Sequence, residues 1–239
     1  MNDHWQSACD THPGNRRKTN EDAVLARPEL SLWAVADGMG GHAAGDVASH
    51  AIASALATLQ PRATLTEMVD QVDDALCTVN QQLRSHAQTI CRGRTIGSTV
   101  VAMLARDHVG VVLWAGDSRL YRLRDGDLAQ VTRDHNPIAE LLDDGVITAQ
   151  TALARETNIV TRAVGGHGQL FLDVAVFDIR PGDTFLLCSD GLYRELEHRE
   201  IGEALGAEDV GMCVTQLMAE SLARDARDNI SVIVSRRDE

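Results

Sequence analysis

Four acidic residues of this 239-residue chain share one setting, because each stands at the margin of an apolar run. They are Asp37, Asp117, Asp190 and Asp228, and Asp22 stands just before a further apolar run. Carboxylates that converge where water is scarce repel one another and cannot all stay ionised without a compensating cation. Since no suitable His or Cys pairing accompanies them, the pattern favours hard divalent ions, Mg²⁺ or Mn²⁺. The alternative is four independent turn acids, which their recurrence at strand ends disfavours.

The stretch 32–41 is the clearest of these settings. Residues 32–36 form a short, continuous apolar run, which predicts a strand buried on both faces. Asp37 follows it and enters a glycine-rich turn, 38–41, where glycines permit positive φ and let the backbone approach an ion or a phosphate. Apolar residues at helical spacing then predict a helix over 42–59.

A polar loop precedes the first of these acids. It carries three cations at 16–18, then Glu21 and Asp22 before an apolar run. A charge run of this kind is usually a solvated surface, but guanidinium is also the preferred partner of a phosphoryl group. Asp22 would enter one strand and Asp37 would leave the next, so in an antiparallel pair the two acids would be neighbours.

The remaining elements follow from periodicity and turn residues. Residues 66–83 predict an amphipathic helix, and 98–104, 109–115 and 119–123 predict an antiparallel meander of three strands. Residues 132–160 are polar and interrupted, with a short helix near 137–142, which is typical of a surface flap. The other predicted elements are a weak first strand at 3–10, strands at 171–176, 183–188 and 230–234, and helices at 198–205 and 209–223.

Composition limits the classes of partner and of cross-link. The formal net charge is −13, which disfavours nucleic acid as a partner because phosphate backbones are bound by clustered Lys and Arg. The five cysteines are odd in number, widely spaced and without a Cys-x-x-Cys pair, which argues against a disulfide framework and a zinc site. We expect reduced, mostly buried thiols at Cys9, Cys77, Cys91, Cys188 and Cys213.

The domain organisation and the location of the protein are predicted from features that the sequence lacks. There is no window of 18 apolar residues, and the first residues lack the basic and apolar regions of a signal peptide. We therefore expect no membrane insertion and a cytoplasmic protein. With only 5 prolines, no Ser/Gly tract and no repeat, residues 1–239 are expected to form a single domain, and the protein to be a monomer.

Seven motifs extend this interpretation. They are Arg17-x-x-Asn20-Glu21-Asp22, Val35-Ala36-Asp37-Gly38-Met39-Gly40-Gly41, Gly97-Ser98-Thr99, Ala115-Gly116-Asp117-Ser118-Arg119, Thr161-Arg162-Ala163-Val164-Gly165, Ser189-Asp190-Gly191-Leu192 and Asp228-Asn229-Ile230-Ser231. In residue type and order they resemble the motif set of the metal-dependent protein phosphatases, the protein phosphatase 2C family, in its bacterial single-domain form. Each motif alone is weak, but together they are highly specific.

The resemblance implies an α+β fold: a four-layer α-β-β-α sandwich in which two antiparallel sheets are flanked by helices. It also implies two divalent metals, Mn²⁺ or Mg²⁺, at one end of the sandwich. By position, Asp37 would bridge both ions and the Gly38 carbonyl would ligate one of them. Asp190 and Asp228 would complete the shell of the first ion.

The same resemblance assigns the other site residues. Asp22 would hold the second ion through water, with Glu21 nearby, and Asp117 would help to hold a weaker third metal. Arg17 would bind the substrate phosphate. Asn229 is a further accessory candidate, and the flap at 132–160 would border the substrate groove.

The activity implied is that of a serine/threonine phosphoprotein phosphatase. A metal-bridging hydroxide would attack phosphorus directly, with no phosphoenzyme. Eukaryotic relatives have a His directly after the Asp-Gly, whereas this chain has Met39, so the general acid is open. His42 is a candidate for that role, but a lone His is more often structural, and a metal-bound water is favoured.

Two other functions stay open at the level of sequence. One is a noncatalytic phosphoprotein-binding module on the same fold, which a replaced metal acid would favour; every such acid is present. The other is a phosphatase of small metabolites, because the metal site reads the phosphate and only the groove reads its carrier. The expected partners are phosphoserine and phosphothreonine proteins, a Ser/Thr kinase or its substrates, in type VI secretion or cell-wall signalling.

Overall fold

The computed structural model of the chain describes residues 5–40, 44–89, 95–148 and 159–238. Its strands are β1 (Trp5–His12), β2 (Asp22–Arg27), β3 (Leu32–Met39), β4 (Gly97–Ser98), β5 (Val100–Arg106), β6 (Val109–Ala115), β7 (Arg119–Arg124), β8 (Asp127–Gln130), β9 (Asp173–Asp178), β10 (Thr184–Cys188) and β11 (Ile230–Arg237). Its α-helices are α1 (Gly45–Ala57), α2 (Leu65–Thr89), α3 (Pro137–Asp143), α4 (Asp190–Tyr193), α5 (His198–Leu205) and α6 (Val210–Leu222).

The strands form two antiparallel sheets. One sheet has the order β1-β11-β10-β7-β8, and the other has the order β2-β3-β5-β6-β9 with β4 paired to β3. The sheets face each other across a core that contains Trp33, Met103 and Phe185. Helices α1 and α2 cover the outer face of the second sheet, and α4, α5 and α6 cover that of the first. The predicted four-layer α-β-β-α sandwich is confirmed.

The helices follow the local signals of the sequence. In α2, the buried Met68, Val72, Leu76 and Val79 recur every three or four residues, which puts them on the face that packs against the second sheet. At the start of α6, the Asp209 carboxylate accepts hydrogen bonds from the first free backbone N–H groups, as an N-cap residue does. Among the described residues, no helix has the length and apolarity needed to cross a membrane.

The strand at 119–124 does not continue the predicted meander. β5 and β6 pair in the second sheet, whereas β7 pairs with β10 and β8 in the first. The chain crosses between the sheets at Gly116, whose φ is 121° and where a Cβ would lie 2.5 Å from the Thr99 side chain. Only glycine fits there. The meander prediction was wrong because turn residues do not specify which sheet the next strand joins, and the crossing places Asp117 between the two sheets.

The prediction of a turn at Asp37 was also wrong. β3 continues through Asp37 to Met39, and Gly38 and Met39 pair with Ser98 and Gly97 of β4. A Cβ at Gly38 would lie 2.1 Å from the carbonyl oxygen of Gly45 at the start of α1. The glycine therefore serves close packing of strand against helix rather than a turn.

The cysteines are only partly as expected. Cys188 and Cys213 are buried, but Cys9 is exposed and Cys77 is half-buried. All four are free thiols, and Cys91 lies outside the described residues. The expectation of mostly buried thiols fails at Cys9 because its side chain lies on β1, at the edge of the first sheet.

Candidate metal centre and active site

Four of the predicted acids meet at one end of the sandwich. Asp22 and Asp37 are direct partners in the β2–β3 register, as the sequence predicted. Asp190 is the first residue of α4, just after β10, and Asp228 lies two residues before β11. Because β10 and β11 are neighbours in the facing sheet, Asp190 and Asp228 lie near this pair, and the charges of Asp22, Asp190, Asp117 and Asp228 all raise the pKa of Asp37.

Asp22 joins the two sheets at this end. Its Oδ2 accepts hydrogen bonds from the hydroxyls of Ser189 (2.8 Å) and Ser231 (2.7 Å), which belong to the opposite sheet. Only 3% of the residue is exposed, and its Oδ1 has no hydrogen-bond partner. Burial raises the pKa of Asp22 to about 6, although the two hydroxyls act in the opposite direction.

Main-chain hydrogen bonds hold Asp37 in place, so its carboxylate is available to bind a ligand. Its N–H donates to Thr99 Oγ1 (3.1 Å), and its carbonyl accepts from the Thr99 N–H (2.9 Å) and from Ser98 Oγ (3.0 Å). Burial is the main reason that the pKa of Asp37 is raised well above its usual value, and the charges of Asp22 and Asp190 add to it. A cation at this position would reverse that effect.

Glu21 and Asn229 organise the backbone beside Asp37. The Glu21 carbonyl accepts from the Gly38 N–H (3.0 Å), and the Glu21 N–H donates to Asn229 Oδ1 (2.8 Å). The amide nitrogen of Asn229 donates to the carbonyls of Pro13 and Thr19, both at 3.0 Å. Asn229 therefore fastens the loop of the predicted phosphate-binding arginine to β11.

Arg17 lies at the rim of the site. Its Nη2 is 2.8 Å from Asp228 Oδ2, and its side chain is 55% exposed. This exposure leaves the guanidinium accessible from solvent while Asp228 keeps it near the other acids. The hydrogen bond and charge of Asp228 raise the pKa of Arg17, so it is a permanent cation.

Asp190 has a cationic neighbour that the sequence analysis did not single out. Arg194 Nη2 is 2.8 Å from Asp190 Oδ2 and 3.8 Å from Asp117 Oδ2. Asp190 is 8% exposed, and its Oδ1 is buried with no partner. Burial and then the charge of Asp117 raise the pKa of Asp190 to about 7. The spacing of four residues from Asp190 to Arg194 was the available signal.

Asp117 is held from the α4 side by an aromatic and a cation. The Tyr193 hydroxyl donates to the Asp117 carbonyl (3.0 Å). The Arg119 guanidinium lies 3.4 Å from the centre of the Tyr193 ring and makes a bidentate pair with Asp134. The residue that carries Asp117 is thus anchored to the helix that carries Asp190.

His135 anchors the same crossing from the other side, and sequence reasoning missed it. Its Nδ1 accepts from the Gly116 N–H (3.1 Å), so its Nε2 carries the proton and donates to Asp173 Oδ2 (3.1 Å). Burial lowers the pKa of His135, which keeps the ring neutral in this role. Arg162, from the fifth motif, is 2.5 Å from Asp173 Oδ1 and completes the network.

The donor set fits a hard divalent cation. Asp22 and Asp190 each contribute a buried carboxylate oxygen with no partner, a costly state that a cation would relieve. Within the described ranges, no three His, Cys, Asp or Glu side chains form a ready-made cluster. Two of the acids are instead engaged by cations, since Arg17 pairs with Asp228 and Arg194 with Asp190. The candidate His42 lies outside the described residues, as do residues 149–158 of the predicted flap.

Comparisons with known proteins agree with this architecture. The family described as Protein phosphatase 2C matches residues 14–226. The serine/threonine protein phosphatase PstP of Mycobacterium tuberculosis is 36% identical over 221 residues, 92% of this chain, and the chain spans only 42% of that relative's length. PppA, named a key regulatory component of T6SS in Pseudomonas aeruginosa, is 43% identical, with a TM-score of 0.90 and 98% of both chains covered.

One solved relative also carries metal. The catalytic domain of PstP in complex with 2 manganese ions is 33% identical, with a TM-score of 0.87 over 98% of this chain and 99% of that one. The family match covers most of the chain, and the solved relatives share its fold at 33% to 43% identity. The resemblance noted in the motifs is confirmed: the chain belongs to the protein phosphatase 2C family.

Proposed function

We propose that this chain is a metal-dependent serine/threonine phosphoprotein phosphatase. The observation that carries the proposal is the pair of buried, unpartnered oxygens on Asp22 and Asp190, with the Asp37 carboxylate in the same cluster. Buried polar atoms are nearly always paired, and a divalent cation bound between these acids would pair both oxygens. The relatives named above as Ser/Thr phosphatases support the activity.

Two ions, Mn²⁺ or Mg²⁺, are the proposed cofactors. Asp37 would contribute to both, with the Gly38 carbonyl on one and with Asp190 and Asp228 on the other. Asp22, assisted by Glu21, would orient the shell of the ion beside Gly38, and Asp117 would contribute to a third ion. When bound, such ions supply the Lewis acidity that activates water as a nucleophile and neutralises phosphoryl charge.

The chain's own residues then bind and orient the phosphate. Arg17, exposed at the rim, would exchange part of its contact with Asp228 for two phosphoryl oxygens, which guanidinium binds as a fork. The Asn229 hydrogen bonds to Glu21 and Pro13 hold the 13–21 loop, which carries Arg17, beside Asp228. Charge that spreads over the phosphoryl oxygens is thereby stabilised by groups that are already in place.

The test is phosphate release from a phosphothreonine peptide, with Mn²⁺ and with EDTA. We expect turnover with Mn²⁺ only, and its loss in Asp37→Asn, whereas Asp127→Asn at the exposed start of β8 should keep it. Turnover that persists in EDTA or in Asp37→Asn would refute the metal mechanism. A folded protein that binds Mn²⁺ and a phosphopeptide without turnover would instead be a noncatalytic binding module.

The identity of the substrate is a separate part of the proposal. We favour phosphoproteins over small phosphorylated metabolites because the relatives are named protein phosphatases. A panel of sugar phosphates, compared with the peptide by kcat/KM, decides between them, and a preference for the sugars would favour the metabolite phosphatase.

The setting that we propose is reversal of a Ser/Thr kinase in type VI secretion, by a single-domain, monomeric, cytoplasmic enzyme. It is supported by the similarity to PppA. Loss of the phosphatase should raise phosphothreonine on components of that secretion system, measured by phosphopeptide mass spectrometry. An unchanged phosphopeptide profile would count against this setting and leave the proposed chemistry in place.

A further inference from the structure

Arg194 occupies a position between two acids of the candidate site. Its Nη2 lies 2.8 Å from Asp190 Oδ2 and 3.8 Å from Asp117 Oδ2. It follows α4 directly, and its backbone N–H donates to the Asp190 carbonyl (3.1 Å). Its position four residues after Asp190, at the end of α4, places its side chain beside that carboxylate.

The two acids that it joins need a counter-charge. Asp117 is 4% exposed and Asp190 is 8% exposed; Asp117 lies at the crossing between the two sheets and Asp190 at the start of α4. Two carboxylates in so little solvent repel each other strongly. The buried Oδ1 of Asp190 still has no partner, so the arginine satisfies only part of this pair and leaves a position for a further cation.

Arg194 differs in this respect from Arg17, the other cation of the site. Arg17 is 55% exposed and contacts Asp228 at the rim, where a substrate phosphate can reach it. Arg194 is 31% exposed and contacts Asp117, which is assigned above to the proposed third metal, and Asp190, which is assigned to one of the two main ions. The two arginines therefore face different partners.

We propose that Arg194 is a built-in counter-ion for Asp117 and Asp190, and that it competes with a divalent cation for these two carboxylates. The inference rests on the metal site of the proposed function. A cation that binds both carboxylates must displace the guanidinium or lie beside its positive charge. Arg194 thus stabilises the metal-free protein and weakens the cation bound through Asp117.

The test measures Mn²⁺ binding by calorimetry on protein stripped with EDTA, and the melting temperature in EDTA. In Arg194→Gln, the weakest class of Mn²⁺ site should tighten by about tenfold, because a unit charge within 4 Å of the ligands is removed. The same variant should melt at a lower temperature in EDTA and recover in saturating Mn²⁺. Arg194→Lys, which keeps the charge, should resemble the wild type in both measurements.

The matched control is Arg199→Gln. Arg199 also pairs with an acid four residues away, Glu203, but both side chains are largely exposed. It should change neither the Mn²⁺ isotherm nor the melting temperature. Asp117→Asn provides a second check, since it should remove the effect of Arg194→Gln on Mn²⁺ affinity if the arginine acts through Asp117.

Failure of this inference is distinguishable from failure of the proposed function. If the wild type binds no Mn²⁺, both the proposed function and the proposed competition between Arg194 and a cation fail. A lower melting temperature of Arg194→Gln in EDTA would then still support the role of Arg194 as a counter-ion. If the wild type binds Mn²⁺ and Arg194→Gln changes neither its affinity nor the melting temperature, the inference is overturned. A raised KM for phosphopeptide as the only effect of Arg194→Gln also overturns it, because it makes Arg194 a substrate-binding residue.

Discussion

The strand β10 has a buried acid at each end, and the two acids differ in how many of their carboxylate oxygens have hydrogen-bond partners. Asp183, just before the strand and 1% exposed, accepts hydrogen bonds from Arg124 Nε (2.7 Å), Arg124 Nη2 (2.6 Å) and the Arg180 N–H (2.8 Å). Asp190, just after it, has one oxygen paired to Arg194 and one with no partner. Burial alone therefore does not distinguish an acid that holds the fold together from one that belongs to the site.

The difference lies in how completely each carboxylate is satisfied. A buried charge with full hydrogen bonding and a bidentate arginine is a stable structural unit, and removal of one member leaves the other unpaired. A buried carboxylate with an unpaired oxygen costs stability. Such a cost is expected where a ligand compensates for it, which separates the metal-site end of β10 from the Asp183 end.

The largest expected effect is on catalysis, at Asp37. Asp37→Asn removes a charge shared by the proposed ions, and we expect kcat/KM to fall by about 1000-fold. The free energy of unfolding in EDTA should stay the same or increase, because the amide removes charge repulsion. Phosphate release and urea unfolding in EDTA measure the two effects. A variant that unfolds would give Asp37 a structural role like that of Asp183.

The converse variant acts at the other end of β10. Asp183→Asn leaves the guanidinium of Arg124 with poorer partners, and we expect a loss of about 3 kcal/mol in the free energy of unfolding. The kcat/KM measured well below the melting temperature should change little. Glu203→Gln, an acid of an exposed pair, is the control and should change neither quantity. Loss of activity without loss of stability would contradict the comparison.

A smaller effect is expected from pH in the absence of metal. The folded protein has a pKa of about 6 for Asp22 and about 7 for Asp190, above the ordinary value of 3.8. Between pH 4 and pH 7 the folded state thus retains protons that the unfolded state has lost, so stability in EDTA should fall as pH rises.

At the Asp183 end the sign is reversed. Arg124, which pairs with Asp183, also pairs with the exposed Asp178, and together with Arg180 and Arg122 it lowers the pKa of Asp178. The stability that Asp178 contributes to the folded state is therefore present above pH 4 and is lost below it. Denaturant unfolding at fixed pH steps, in wild type and in Asp190→Asn, measures the net slope. A slope unchanged by Asp190→Asn would exclude this acid as its source.

The smallest expected effect concerns Arg17. Arg17→Lys keeps the charge but loses the fork, and we expect KM for a phosphopeptide to rise by about tenfold with little change in kcat. Arg16→Lys is the matched control, since Arg16 also pairs with an acid, Asp225, and its side chain is 67% exposed against 55% for Arg17. An equal effect of both substitutions would mean that the loop attracts phosphate only by its overall charge.

Local elements could be predicted wherever periodicity and end signals agreed. The apolar stripe of α2 and the register neighbours Asp22 and Asp37 are examples, and both are confirmed. The third strand of the meander and the turn at Asp37 were predicted wrongly. In both cases a glycine was interpreted as a turn residue, whereas the structure uses it for a sheet crossing or for close packing.

The sequence by itself was enough to locate the acids at the margins of apolar strands, to predict them as metal ligands and to identify the family to which the chain belongs. Tertiary structure alone decided which of these acids are satisfied. The serines that bind Asp22 lie 167 and 209 residues away in the chain, and Arg194 reaches Asp117 only because α4 packs beside the sheet crossing. Contacts over such separations leave no local periodicity, because they depend on how the two sheets face each other.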